Sequence, residues 1–140
     1  QVIDTVRLEN YRLAFRSNGG GKGVATILPE QGSFVDGVLW RISPKDEQSL
    51  DYYEGFPVLY GKETVSVRTS DGKQIPVMAY TMNAPYRDVP ALPSWEYLNG
   101  IITGCCQHQI DSWPVQKAVE NARQTPRRQI PVRKKQNRER

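Results

Sequence analysis

Few residue types able to do nucleophilic, metal or proton-transfer chemistry are available here, and their spacing narrows the choice. His108 is the sole histidine, so a zinc site or a serine-hydrolase triad would depend on it alone. It falls in the last turn of an expected helix, which suits a structural or surface role. Cys105 and Cys106 are the only cysteines and are adjacent. They are badly placed for an ordinary mutual disulfide and lack the spacing of a metal knuckle, which fits a reducing compartment. The glycines at 19–21 followed by Lys22 invite comparison with a phosphate loop, but Gly23 stands where Ser or Thr is needed and a strand, not a helix, follows. Arg127, Arg128, Arg133, Lys134 and Lys135 form a cluster that attracts phosphate without an aromatic residue to stack a base. Solvation, or nonspecific contact with nucleic acid or an acidic partner, suits it better than sequence reading.

Composition sets the frame for these residues. A chain of 140 residues with 38% hydrophobic content suits one domain with one core. No apolar run approaches the roughly 18 residues of a membrane span, and residues 1–10 show no basic-then-apolar signal segment. A soluble, cytoplasmic protein is therefore expected. Charge is uneven: residues 110–140 hold nine Lys/Arg against three Asp/Glu, leaving ten against twelve before them. The expected organisation is a folded domain over 1–125 and a basic tail over 126–140, too poor in apolar mass to offset the entropy of ordering.

Residues 11–16 alternate apolar and polar, predicting a half-buried strand that stops at the glycine turn. Residues 24–28 and 34–42 predict two more strands, with Pro29-Glu-Gln-Gly32 expected as a hairpin connection between them. Ser43 then caps a helix with Pro44 in its first turn and Glu47 near the capping-box position, and Gly55 ends it. Residues 64–69 and 75–82 flank Ser70-Asp-Gly-Lys73 and predict a tight hairpin, with Pro76 marking a sheet edge. Three prolines in 83–93 predict an ordered surface loop whose Tyr86 and Arg87 could border a pocket. Ser94 caps a helix with an apolar stripe of Trp95, Leu98, Ile102 and Cys105, and a last helix starts at Asp111-Ser-Trp-Pro114 and continues through Val115, Val119 and Ala122.

Four segments in this order carry a family likeness: Gly23-Val-Ala-Thr-Ile27, Gly37-Val-Leu-Trp40, Leu50-Asp-Tyr-Tyr-Glu-Gly55, and Pro93-Ser-Trp-Glu-Tyr97 with Ile101 and Gly104. Together they resemble the gamma-glutamylcyclotransferase family, which includes the AIG2-like proteins. The resemblance implies an α+β fold built on a small antiparallel or mixed β-barrel flanked by helices. It also implies release of 5-oxoproline from a gamma-glutamyl amine or amino acid, with Glu54 matching the catalytic acid/base. Gly55, Tyr60 and Tyr80 match positions at the substrate pocket. In such a reaction the substrate's α-amine attacks its own γ-carbonyl, and one carboxylate can take the amine's proton and return it to the departing amine. No cofactor or metal is expected. If Glu54 lies among Tyr52, Tyr53, Phe56 and Tyr60, desolvation should raise its pKa.

The family's first strand and its Tyr-Gly-Ser-Asn loop, whose amides receive the glutamyl carboxylate, find no counterpart; residues 1–16 resemble the segment that follows them. A truncated chain, a processed fragment and a natural short homologue all fit. Loss of a central strand would expose edges and favour a homodimer. The alternative to an enzyme is an inactive AIG2-like binding or scaffolding module, with the basic tail as a contact for an acidic partner.

Overall fold

The structure, a computed structural model, describes residues 1–124. The expected domain boundary at 125 and the basic tail of 126–140 lie outside these residues. Within them the chain is α+β, and every strand pairing is antiparallel.

Two long strands dominate. Strand β1 (Val2–Ser17) and strand β2 (Gly23–Trp40) pair from Val2↔Trp40 to Ser17↔Gly23 across the glycine turn. The expected hairpin at Pro29–Gly32 does not form, because residues 24–28 and 34–40 both pair with β1 rather than with each other. The turn residues instead make a bulge: 30–33 have no partner in β1, and the Gly32 amide donates to Asn10 Oδ1 at 3.0 Å. Asn10 (φ 67°) and Gly32 (φ 89°) accept the left-handed backbone this requires.

Helix α1 (Pro44–Glu54) starts as expected at Ser43, whose hydroxyl accepts from the Asp46 amide. Asp46, not Glu47, completes the capping box. Strands β3 (Tyr60–Arg68) and β4 (Gln74–Met82) form the expected hairpin, each longer than predicted, and Pro76 lies on the outer strand β4. A short 3-10 turn follows at Tyr86–Asp88, and helices α2 (Trp95–Gln107) and α3 (Trp113–Gln124) complete the described chain. His108 sits at the C-cap of α2.

The strand order is β2-β1-β3-β4, and β1 meets β3 at one register pair, Arg7↔Arg68. The expected barrel is therefore a curled sheet whose outer strands β2 and β4 approach without a continuous ladder. Side chains span the gap: the Met82 amide donates to the buried Thr26 Oγ1 at 3.0 Å, and the Tyr60 hydroxyl donates to the Ala25 carbonyl at 2.5 Å. The segment after the 3-10 turn straps the end of the long hairpin. Ser17 donates to the Val89 carbonyl, and Gly23 to that of Leu92, both at 2.8 Å. A Cβ on Gly23 would lie 2.1 Å from the Ala91 carbonyl oxygen, so only glycine fits.

Two apolar clusters hold these parts together. Val6, Leu8, Val65 and Val67 join β1 to β3. Phe15, almost wholly buried, meets Val115 and Ala118 of α3 and packs with Leu98, Ile101 and Ile102 of α2. Trp95 departs from the expected stripe and is 73% exposed.

Candidate active site

Glu54 is the last residue of α1, and Gly55 takes the left-handed conformation (φ 69°) that ends the helix. The Gly55 amide donates back to the Tyr52 carbonyl at 3.2 Å, and its carbonyl accepts from Val58 and Leu59. Gly55 thus supplies the turn that sets where Glu54 points. Burial pushes the Glu54 carboxyl pKa above its usual range, in the expected direction. Of the residues expected around it, Tyr60 is buried and within electrostatic reach of Glu54, whereas Tyr52 and Tyr53 are 91% and 77% exposed and supply little of that burial.

The residues brought within electrostatic reach of Glu54 are Tyr60 and Tyr97. Burial raises both phenol pKa values, and the charge of Glu54 pushes each higher. Their hydroxyls converge on Ala25: Tyr97 accepts from its amide at 3.0 Å, and Tyr60 donates to its carbonyl. Ala25 pairs with Phe15 in the β1–β2 ladder, yet these two backbone groups are left to side chains of α2 and β3. Tyr60 therefore forms a wall at this point, its hydroxyl already engaged. Tyr97 was named in sequence only as part of a motif; nothing local shows that its hydroxyl meets a strand 72 residues away.

Tyr80 belongs to a second cluster, on the flank of α1. Its hydroxyl donates to Asp51 Oδ1 at 2.5 Å, and Lys62 Nζ donates to Glu47 Oε2 at 2.6 Å and to Asp51 Oδ2 at 3.0 Å. Lys62 also lies 4.5 Å from the Phe56 ring centroid. Burial and the Asp51 hydrogen bond raise the Tyr80 pKa to about 12. The Tyr80 bond, followed by Lys62, holds Asp51 below the usual carboxylate range. Glu47, expected near the capping-box position, instead ties α1 to β3.

Two cavities, of about 540 and 460 Å³, lie away from Glu54; Tyr80 and Leu50 line the smaller, while Glu54, Tyr60, Tyr86 and Arg87 line neither. Among the described residues no group of three His, Cys, Asp or Glu side chains could hold a metal ion, and no helix is long and apolar enough to cross a membrane. The turn after β1 lies between two strands, which leaves no helix to complete a phosphate loop.

The family description that matches is gamma-glutamyl cyclotransferase, AIG2-like, over residues 2–99. The chain belongs to this family. Bovine gamma-glutamylcyclotransferase is 35% identical over 98 residues, covering 64% of this chain and 51% of that protein. The human gamma-glutamylcyclotransferase is 34% identical over the same length and shares. The chain thus spans about half the length of the curated relatives it matches. A solved gamma-glutamyl cyclotransferase structure superposes with a TM-score of 0.70 at 27% identity, covering 89% of this chain and 74% of that one. YkqA from Bacillus subtilis shares the fold, with a TM-score of 0.73 at 19% identity over 90% of this chain and 46% of that one. Together these place the curled sheet and its helices within the fold of the family.

Proposed function

We propose that this chain acts as a gamma-glutamylcyclotransferase, with Glu54 as the acid/base that releases 5-oxoproline from a gamma-glutamyl amine or amino acid. The observation that carries the reading is the placement of Glu54: a half-buried carboxylate with a raised pKa, ending a helix beside the buried phenol of Tyr60 and the half-buried one of Tyr97, in a member of a family whose curated relatives bear that name. The raised pKa suits a group that must both take and give a proton near neutrality.

In the proposed step the substrate's α-amine nitrogen attacks its γ-carbonyl carbon, and Glu54 accepts the proton that the amine loses. The amide C–N bond then breaks, and Glu54 returns the proton to the leaving nitrogen. Both reacting groups belong to one molecule, so holding the glutamyl chain curled supplies much of the acceleration. Tyr60 and Tyr97 exclude water on one side of Glu54, while Gly55 fixes the turn beneath it. Tyr80 contributes through Asp51. The free thiols of Cys105 and Cys106 agree with a cytoplasmic setting.

The test is to incubate the protein and its Glu54→Gln variant with gamma-glutamyl amino acids and peptides, following 5-oxoproline by mass spectrometry. Product that falls about 10²- to 10⁴-fold in the variant is the expected result. Equal product from both forms would remove Glu54 from the chemistry. No product from either would favour a binding module, which the engagement of both phenol hydroxyls with Ala25 also suits.

A further inference from the structure

We propose that the cleft between the long hairpin and α3 is a binding site for a small phosphate-bearing anion. Its volume, about 540 Å³, falls within the range of roughly 300–1,000 Å³ common for small-molecule sites. Its lining carries Arg12 and Arg16 of β1 and Lys117 of α3 against a single carboxylate, Glu30 of β2. Glu30 is already engaged, with Oε2 at 3.4 Å from Arg12 Nε and Oε1 accepting from the Ser33 hydroxyl at 2.5 Å.

Arg16 is the decisive residue. It is half-buried, and among the described residues no carboxylate lies within ion-pair distance of it. Burial and the like charge of Arg12 both act against its ionised form, pulling its pKa down. The opposing charge that reaches it belongs to Asp88, which also faces Arg87 at 3.9 Å. A guanidinium presents five donors in a fixed fork, so a half-buried one without an anion leaves its strongest bonding unused. Lys117, exposed on α3, likewise has no ion pair among the described residues.

Geometry favours an anion with more than one charge. Arg12 and Arg16 lie roughly 13 Å apart along β1 on the face opposite Leu13 and Phe15, so it is along the strand's edge that their long side chains can close on a group several ångströms across at the cleft they line. Phosphate and diphosphate oxygens match paired guanidinium forks, where a lone carboxylate would serve only one of them. The exposed ring of Trp113 stands in the same lining and offers a flat surface to an organic body attached to the phosphate. Glu54 takes no part in this cleft, so the proposal is independent of the cyclotransferase reading.

Calorimetric titration of the full chain with pyrophosphate, and separately with ADP, tests it. Binding should weaken as salt rises, and Arg16→Gln and Lys117→Glu should each weaken it about tenfold or more. Lys117 is exposed, so its variant keeps the fold and remains informative if Arg16→Gln does not. Equal affinities would identify free diphosphate chemistry, and tighter ADP binding lost in Trp113→Ala would identify an organic phosphate. No binding by either probe at millimolar concentration would overturn the proposal. So would affinity that ignores both cleft variants and falls instead with Arg127→Gln and Arg128→Gln.

Discussion

A carboxylate whose pKa is raised by folding destabilises the fold wherever it is ionised, and Glu54 is such a group. Below the ordinary carboxylate range it is protonated in both folded and unfolded chains, and its environment makes no difference. As pH rises through its folded pKa the unfolded chain holds fewer protons than the native one, and stability is lost. Glu54→Gln should therefore be modestly more stable than the parent at neutral pH, with the gain fading as pH falls into the carboxylate range. Urea melts at pH 7 and pH 4 check this, and a loss of stability at pH 7 would show that the charge is held by a partner. The same residue must be ionised to accept a proton, so the acid limb of the proposed activity should lie above that of a solvated glutamate. At this scale the sequence was partly legible. The Leu50-Asp-Tyr-Tyr-Glu-Gly55 pattern marks Glu54 and the turn after it, but which tyrosines surround it depends on long-range packing. Adjacent Tyr52 and Tyr53 point to water, while Tyr60 and Tyr97 arrive from other elements.

Helix α1 buries no residue fully, so little apolar packing holds it in place. Its attachment is the charged cluster in which Lys62 of β3 bridges Glu47 and Asp51 while Tyr80 of β4 donates to Asp51. Glu47 and Asp51 stand four residues apart on one helix face, where two like charges repel unless a cation lies between them. Lys62→Met is expected to lower the thermal unfolding midpoint by a few degrees, with the difference shrinking in high salt. Asp51 titrates below its usual range in the fold, so it stabilises above that range and the benefit is lost as pH falls through its folded pKa. Removing Lys62 takes away one cause of that lowering, so acid unfolding of the variant should begin at higher pH. Circular dichroism against pH reads this directly, and identical acid transitions would mean that Tyr80 alone holds Asp51. Element positions were the most legible part of the sequence, because caps and turns are local: Ser43, Gly55, Ser94 and Asp71-Gly72 all stand where the structure uses them. The Pro29–Gly32 signal failed for a reason of the same kind. A proline and a glycine report that the backbone departs from the ladder, but a bulge and a hairpin require similar residues. Only the length of β1, paired on both sides of the bulge, decides between them.

The curl of the sheet is a property of the whole chain and was not written in any one segment. Alternation shows which face of each strand is apolar, but not that β2 and β4 come together or what joins them. The joint is a side-chain bond, the Met82 amide of β4 donating to Thr26 Oγ1 of β2; beside it Tyr60 of β3 donates to the Ala25 carbonyl, and Tyr97 of α2 accepts from the Ala25 amide. Thr26 is buried, and its bond is the one that connects the outer strands directly. Thr26→Val keeps the shape of the side chain and removes the acceptor, leaving the Met82 amide without that partner in a buried position. The expected cost is about 1–3 kcal/mol, that of an unsatisfied buried donor rather than of an average hydrogen bond. Hydrogen exchange should place the effect: the Met82 amide should lose protection by more than the global loss of stability accounts for, while amides of the long hairpin follow the global change. Uniform loss across all strands would mean that the gap is held by apolar packing, with the Thr26 bond incidental. Because Tyr60 closes the same gap and stands beside Glu54, opening it should also lower the proposed activity, and Thr26→Val should do so although its side chain lies remote from the carboxylate along the chain.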